Sequence, residues 1–261
     1  MPREPKPIRS DIAWSTTDRI TIRGLDLPGE ILGHLDLAEF SFLQLTGRRP
    51  TAAEGRIYTA LLITLVEHGL TPSAIAARMT YAGAPEAMQA AVAAGLCGLG
   101  SVFVGTTEGS ANMLAEALAD DDGTADLDDV ARRVVSGFKE RRAIVPGVGH
   151  PLHKPIDPRT PRLFEIAEAE GVAGRYVELM KRIGVEATRT YDRELPVNAT
   201  GAIGALSCEI DLPLKAVRGL GVMARAIGLV GHILEESEQP MALQLWQRID
   251  REASAHIRTA T

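Results

Sequence analysis

The stretch that decides the fold is GVGHPLHKPIDPR, Gly147 to Arg159. Its three prolines fix φ and remove three backbone donors, which predicts a rigid loop and excludes a continuous helix. The two glycines lack a Cβ, so the backbone from Pro146 to Gly149 can approach a ligand closely. A histidine, a lysine and an arginine complete the loop, and these residues suit an anionic substrate. The competing interpretation is a proline-rich connector whose charged residues are merely solvated.

The whole string resembles the signature of the citrate synthase family, in which Gly-aromatic-Gly-His is followed by Lys or Arg and then Asp-Pro-Arg. The resemblance implies that His150 contacts the hydroxyl or keto oxygen of a citrate-like substrate and that Arg159 binds a carboxylate. We expect His153 and Lys154 to add substrate contacts and the Gly-X-Gly turn to contact coenzyme A. The residues that carry these expectations are Pro146, Gly147, Val148, Gly149, His150, His153, Lys154, Asp157, Pro158 and Arg159.

Three further segments resemble the same family. The first, EHGLTPSAIAAR from Glu67, is similar to a segment that begins Asp-His-Glu, and this makes His68 a substrate-contacting histidine. A second, NATGAIGALSCEID, begins at Asn198, which we expect to contact the substrate. The third, GLGVMARAIGLVGHILEE, resembles the family's Arg-Ala-x-Gly helix and makes Arg225 a carboxylate ligand. Together the matches extend from about Thr17 to Arg248.

The chain departs from the family at two catalytic positions. Counted from His68, the catalytic histidine of citrate synthases falls on Phe103, whose ring cannot donate a hydrogen bond. Phenylalanine there, together with the short chain, resembles the citryl-CoA lyase module of ATP-citrate lyase, and Phe103 would line an apolar part of the substrate pocket. The family's catalytic aspartate falls on Thr200, whose hydroxyl cannot serve as a general acid or base near neutral pH.

Three explanations for the missing aspartate stay open at this point. Thr200 could hold a water that relays the proton, or the site could have changed its substrate or lost activity. A carboxylate elsewhere could also replace the aspartate, and the candidates are Glu108, Glu209 and Asp211.

The resemblance implies a carbon–carbon lyase that cleaves a citryl-CoA-like 3-hydroxy-3-carboxyacyl-CoA to acetyl-CoA and a 2-oxo acid, here oxaloacetate. His150 would accept the hydroxyl proton, with His68 and Thr200 as the other catalytic positions. Arg159 and Arg225 would hold carboxylates by bidentate pairing. Coenzyme A is then part of the substrate, and we expect no permanently bound cofactor. The alternatives are a non-catalytic CoA- or carboxylate-binding protein and an acyltransferase that runs in the synthase direction.

Composition predicts a helix-rich globular protein, with 45% hydrophobic, 24% charged and 4% aromatic residues. The net charge of -6 argues against a nucleic-acid-binding surface. Cys97 and Cys208 lack the spacing of metal ligands, so no metal is expected. No signal-peptide pattern opens the chain, which favours a cytoplasmic location without a membrane partner. The family resemblance adds a homodimer.

Apolar periodicity predicts an all-α fold, because alternations long enough for strands are few. The chain from Ala87 to Thr107 carries no formal charge, and its small residues predict a buried helix rather than a membrane span. The resemblance divides the chain into a large domain, residues 1–103 and 212–261, and a smaller inserted domain, residues 104–211. The site would lie between them. Predicted helices include Leu37 to Leu45, Ile57 to Glu67, Pro72 to Met79, one opened by Asp126, Leu163 to Gly171, and Tyr176 to Ile183.

Overall fold

A computed structural model of the protein describes residues 7–102 and 104–258. Most of these residues are helical, which confirms the all-α fold class. The chain divides into two compact units, Met1–Thr59 and Ala60–Thr261. The division into large and inserted domains that the family resemblance implies stays a prediction.

The first unit opens with a small antiparallel sheet in the order β1-β2-β3, followed by a π-helical turn over Leu27–Ile31. The sheet is absent from the sequence prediction, because strands of two or three residues are too short to show an alternating pattern. Helix α1 begins with a capping box, in which Asp36 and Glu39 each accept the other's backbone N–H. The elements are β1 Ala13–Ser15, β2 Ile20–Ile22, β3 Leu25–Asp26 and α1 Leu37–Thr46.

The second unit is helical, and helix α2 leads into it from the first. Helix α9 is buried along almost its whole length and packs against α5 and α8, while the long helix α10 packs against α3, α4 and α5. The bounds are α2 Ala52–Val66, α3 Pro72–Gly83, α4 Met88–Cys97, α5 Gly105–Ala117, α6 Leu127–Glu140, α7 Arg159–Ala169, α8 Arg175–Tyr191, α9 Ala199–Glu209, α10 Leu214–Glu238 and α11 Ala242–Arg258.

Six of the predicted helices are present, although several are longer than their apolar patterns. Helix α8 continues eight residues beyond the predicted end at Ile183. Asp126 caps α6 as predicted, since its side chain accepts the backbone N–H groups of Asp128 and Asp129. The loop before α7 is not helical, as the prolines predicted, and α7 begins at Arg159.

The prediction of one buried helix from Ala87 to Thr107 is wrong. Helix α4 ends at Cys97 and α5 begins only at Gly105, with Gly98 as the C-cap of α4. Ten residues are too few to cross a bilayer. Helix α10, in contrast, is long and apolar enough for a membrane span by length and composition. Within the unit it is a packed helix, and Val217, Leu220, Leu229 and Ile233 on it are fully buried.

Candidate active site

The Gly-X-Gly-His turn is bound to the segment that leads into α9. The backbone N–H of Gly149 donates to Pro196 O at 2.7 Å, and that of Asn198 donates to Gly147 O at 3.0 Å. Val148 and Val197 form an antiparallel bridge between these two bonds. The Asn198 side chain adds a bond from its Nδ2 to Gly149 O at 2.6 Å. The loop and the start of α9 are therefore one hydrogen-bonded element.

Both glycines of this turn have a left-handed backbone, with φ of 85° at Gly147 and 75° at Gly149. A Cβ on Gly147 would lie 2.6 Å from the Cα of Gly201 in α9, and one on Gly149 would lie 3.0 Å from Leu195 Cδ2. The glycines are thus required by backbone conformation and by contact with the protein itself. The expected contact of this turn with coenzyme A stays a prediction.

The end of the loop is fixed by Asp157, which is fully buried. Its carboxylate accepts Nε and Nη2 of Arg159 at 2.9 and 2.8 Å and the backbone N–H of Ala199 at 2.9 Å. Burial opposes the charge, but these hydrogen bonds lower the pKa of Asp157 to about 2. Arg159 is therefore committed on one edge to an internal carboxylate, and only its Nη1 edge can meet a substrate carboxylate.

The tautomer of His150 follows from its surroundings. The backbone N–H groups of Leu152 and His153 both donate to its Nδ1, at 3.1 and 2.9 Å. Backbone amides can only donate, so Nδ1 must carry a lone pair, and in the neutral ring the proton is on Nε2. Burial and the neighbouring His153 lower the pKa of His150, which favours that neutral form. His150 is therefore arranged as a hydrogen-bond donor through Nε2.

Three histidines form a cluster, which we call the histidine cluster: His68, His150 and His153. The rings of His150 and His153 are stacked, with centroids 4.4 Å apart. His68 Nε2 lies 3.3 Å from His153 Nε2, although the two residues are 85 positions apart in sequence. His68 is exposed and the other two are half-buried. The fold thus brings together the three histidines that the sequence singled out.

Glu67 lies beside the histidine cluster. Its Oε1 accepts the backbone N–H groups of His68 and Gly69, both at 2.8 Å. Its Oε2 lies 3.1 Å from Nε2 of His232 on α10. Burial raises the pKa of Glu67, but the backbone bonds from His68 and Gly69 and the nearby His232 outweigh it, so the pKa is lowered and the carboxylate stays charged. Glu67 is not among the site residues predicted from the sequence.

A glycine in α10 allows this approach. A Cβ on Gly228 would lie 2.2 Å from Val66 O and 3.0 Å from Glu67 Oε2, so the end of α2 contacts the α10 backbone directly. Arg225, three residues earlier on α10, is thereby brought to Glu67, with 3.8 Å between its Nη1 and Glu67 Oε1. Close packing of α2 on α10 therefore places Arg225 next to the residue that precedes His68.

Arg225 is a buried cation with unused donors. Only 9% of the residue is exposed, and its Nε and Nη1 have no hydrogen-bond partner among the described residues. Burial lowers its pKa, and the charge of Glu67 offsets this only in part. Unpaired buried guanidinium donors are costly, unless a ligand satisfies them. This geometry fits a carboxylate-binding role.

Arg78, which also matches a family arginine, serves the fold. It is 2% exposed and donates to Glu236 Oε2 at 3.0 Å and to His232 Nδ1 at 2.9 Å from its Nη2. A further ion pair joins it to Glu235. Because Arg78 can only donate, His232 in its neutral form carries its proton on Nε2, which faces Glu67. A chain of charged and polar groups therefore connects Arg78 to Glu67.

Thr200 and Asn198 are engaged with each other. The hydroxyl of Thr200 donates to Asn198 Oδ1 at 2.8 Å, and the same oxygen accepts the backbone N–H of Thr200 at 2.9 Å. The Asn198 side chain also accepts the backbone N–H of Gly201 in capping α9 and donates to Gly149 O in the loop. Substrate contacts by either residue stay predictions.

The carboxylates considered as replacements for the missing aspartate have other partners. Glu209 accepts the backbone N–H groups of Gly174 and Val177, and it lies nine residues along α9 from Thr200, roughly 14 Å at 1.5 Å per residue. Asp211 lies beyond the same distant end of α9. Glu108 pairs with Arg218 at 2.6 Å. Within the described residues, the carboxylate nearest in sequence and contact to the histidine cluster is Glu67.

The geometry leaves two predicted residues untested. Phe103 lies outside the described residues. Lys154 is exposed, and its side chain makes no hydrogen bond or ion pair with residues 7–102 or 104–258. Two cavities, of about 380 and 420 Å³, lie along α8 and include none of the three histidines. The histidine cluster is open to solvent at His68, because that residue is exposed.

Comparison with known sequences finds one family that matches most of this chain. The family described as "Citrate synthase, C-terminal domain" matches residues 21–248. Citrate synthase of Deinococcus radiodurans is 25% identical over 209 residues, which are 77% of this chain and 52% of that protein. ATP-citrate synthase beta chain protein 1 of Arabidopsis thaliana is 25% identical over 206 residues, 72% of this chain and 33% of that protein. The chain thus spans about half or a third of these relatives.

Solved structures also resemble this chain over most of its length. Citryl-CoA lyase from Hydrogenobacter thermophilus has a TM-score of 0.80 and 30% identity, covering 88% of this chain and 87% of that chain. ATP citrate lyase from Methanothrix soehngenii, in complex with citrate and coenzyme A, has a TM-score of 0.73 and covers 90% of this chain and 40% of that chain. At 20% identity the second likeness shows the fold alone.

Proposed function

This chain belongs to the citrate synthase family, and we propose that it is a carbon–carbon lyase that cleaves citryl-CoA to acetyl-CoA and oxaloacetate. Citryl-CoA lyase from Hydrogenobacter thermophilus supports this choice, because it matches over most of both chains. Coenzyme A enters and leaves as part of the substrate and product. The homodimer that the family resemblance implies and the cytoplasmic location expected from the sequence stay proposals.

The observation that carries the proposal is Arg225, a buried cation whose Nε and Nη1 have no hydrogen-bond partner among the described residues. It lies beside Glu67, whose neighbour His68 belongs to the histidine cluster. A substrate carboxylate that paired with Arg225 would satisfy these donors and hold the substrate close to the three rings. A 3-carboxy group on a 3-hydroxyacyl thioester provides such a carboxylate next to the reacting hydroxyl.

His150 then acts as an electrophile. Its Nε2–H donates to the hydroxyl oxygen of the substrate and stabilises the negative charge that develops there as the hydroxyl proton leaves, before the carbon–carbon bond breaks. This differs from the role expected from sequence, in which His150 accepts the hydroxyl proton. Two backbone amides at Nδ1 favour the donor role, because they hold the proton of the neutral ring on Nε2. The free edge of Arg159 is available for a second carboxylate.

The proposal is tested by mixing the purified protein with citryl-CoA and following oxaloacetate through malate dehydrogenase. We expect cleavage by the wild-type protein and a loss of about 10²- to 10³-fold in His150→Ala, the range for removal of one oxyanion-stabilising donor. His256→Ala, a change of the same type on exposed α11, should leave the rate unchanged. Absence of cleavage by the folded wild-type protein would sink the proposal.

Thr200 favours one alternative, a diverged protein that binds CoA thioesters or carboxylates without cleaving them, because its hydroxyl is no proton carrier. Thr200→Asp separates the two. A gain in cleavage would indicate that this chain has lost the family's reaction. A working site should instead lose activity, because a carboxylate oxygen, which cannot donate, would face the amide oxygen Oδ1 of Asn198 that now accepts the Thr200 hydroxyl.

A further inference from the structure

The proposed reaction still requires a group that moves protons, since neither Thr200 nor His150 is arranged to do so. The hydroxyl of Thr200 is already a donor to Asn198, and the Nδ1 of His150 is occupied by two backbone amides. The remaining members of the histidine cluster are His68 and His153. Their ring nitrogens are the titratable groups in contact with His150.

A metal ion is the first chemistry to consider, because one ring nitrogen from each of the three histidines lies within 4.8 Å of the others. Structural and catalytic zinc sites use three or four ligands, each with a free lone pair. Neutral His150 carries a proton on Nε2 and receives two amide hydrogens at Nδ1, so it offers no lone pair. Two histidines are left, too few for such a site.

When both rings are neutral, one proton lies between Nε2 of His68 and Nε2 of His153. Two bare Nε2 lone pairs 3.3 Å apart would repel each other, and two N–H groups would clash. One ring therefore donates to the other. When His153 is the donor, its own proton is on Nε2 and its Nδ1 carries the lone pair. No partner for that Nδ1 is recorded among residues 7–102 and 104–258.

We propose that His153 is the acid–base catalyst of this chain and that it replaces the aspartate missing at position 200. The inference rests on the proposed function. His153 Nδ1 accepts the proton of the substrate hydroxyl while His150 holds the oxygen. The carbon–carbon bond then breaks, the keto group forms, and the electron pair stays on the methylene carbon as the thioester enolate. The proton on His153 moves to that carbon and completes acetyl-CoA.

His68 has a supporting role in this sequence. While His153 is protonated at both nitrogens, its Nε2–H donates to His68 Nε2, so the positive charge is shared by two rings. His68 is exposed, and through it the pair can exchange protons with solvent. Protons are conserved over the cycle, since His153 gives back the one it takes. No metal, oxidant or further reactant is needed.

The test compares His153→Ala, His68→Ala and the control His256→Ala in the citryl-CoA assay, with the melting temperature measured for each. Loss of a general acid–base group lowers kcat by about 10²- to 10⁴-fold, so we expect that loss in His153→Ala with KM nearly unchanged. Added imidazole should restore part of its rate, and the restored rate should rise with pH as imidazole becomes neutral. A purely structural role for His153 would give neither result.

Three results of the cleavage assay would overturn the inference. They are a kcat of folded His153→Ala within about threefold of wild type, a larger loss of kcat in His68→Ala than in His153→Ala, and loss of wild-type activity in EDTA. Nitrogen NMR of labelled imidazole rings provides a test that is independent of cleavage. At neutral pH it should show one protonated and one bare Nε2 in the pair. If the NMR spectrum shows this proton arrangement but the wild-type protein does not cleave citryl-CoA, the proposed function alone is refuted. If both Nε2 atoms of His68 and His153 are protonated, the inference is refuted.

Discussion

Asp157→Asn is the substitution that most directly tests how the loop is held. The folded-state pKa of Asp157 is about 2, against an ordinary value of 3.8. A difference of about 1.8 in pKa corresponds to roughly 2 kcal/mol of stabilisation by the charged form. Asparagine keeps the shape but places an N–H₂ group against Arg159 or the Ala199 N–H. We therefore expect the variant to lose about 2–4 kcal/mol of unfolding free energy at pH 7.

The pH dependence has a defined sign. Folding lowers the pKa of Asp157, so its stabilisation is fully present above the unfolded-state value of 3.8 and is lost as pH falls towards 2. Roughly half of it should remain at pH 3. Urea unfolding of wild type and Asp157→Asn at pH 7 and pH 3 measures this, and the gap between the two proteins should narrow in acid.

A gap that is absent at pH 7, or equally large at pH 3, would contradict stabilisation by the charged form of Asp157. Glu252→Gln is the matched control, since Glu252 pairs with Arg248 on the surface of α11 and both side chains are more than half exposed. Exposed pairs contribute about 0–1 kcal/mol, so this variant should stay close to wild type at both pH values.

Two further predictions concern α10. Gly228→Ala should lower the unfolding free energy by about 1–3 kcal/mol, because its Cβ would overlap Val66 O. Gly231→Ala has open space around the new Cβ and should raise the unfolding free energy by roughly 0.5–1 kcal/mol. Urea unfolding of both variants measures the two changes. Arg225→Lys should weaken citrate binding about tenfold in calorimetry, because an ammonium cannot pair bidentately, and equal affinity in the two proteins would contradict a carboxylate role. Arg248→Lys on α11 is its control.

The sequence was sufficient for the fold class, for most helices and for the residues of the loop, because these depend on local patterns. Prolines, glycines and apolar periodicity act over a few residues, and a signature loop keeps its spacing. The sequence was not sufficient to predict the ends of α8 or the break between α4 and α5. Packing determines such ends, and an uncharged stretch of alanine and glycine looks the same in one helix or two.

For the candidate active site, the sequence predicted residues but not their interactions. His68, His150 and His153 were selected from sequence, but their proton arrangement depends on backbone amides and on contacts across 85 positions. Glu67 was missed, because its importance comes from the close approach of α2 to α10 at Gly228. The paired state of Arg159 was missed too, since an Asp-Pro-Arg string does not reveal that the aspartate is buried beneath the arginine.

The hydrogen bonds between the loop and the segment before α9 join residues 47 to 51 positions apart, and Arg225 and His68 come from other distant parts of the chain. No short segment of the unfolded protein can therefore hold a substrate. A ligand of this site binds only the folded state, and it raises the unfolding free energy by about 2.7 kcal/mol when present at a hundred times its Kd. The melting temperature is thus a reporter of occupancy, and a panel of acyl-CoA thioesters and tricarboxylates can be ranked on it before any reaction is assayed.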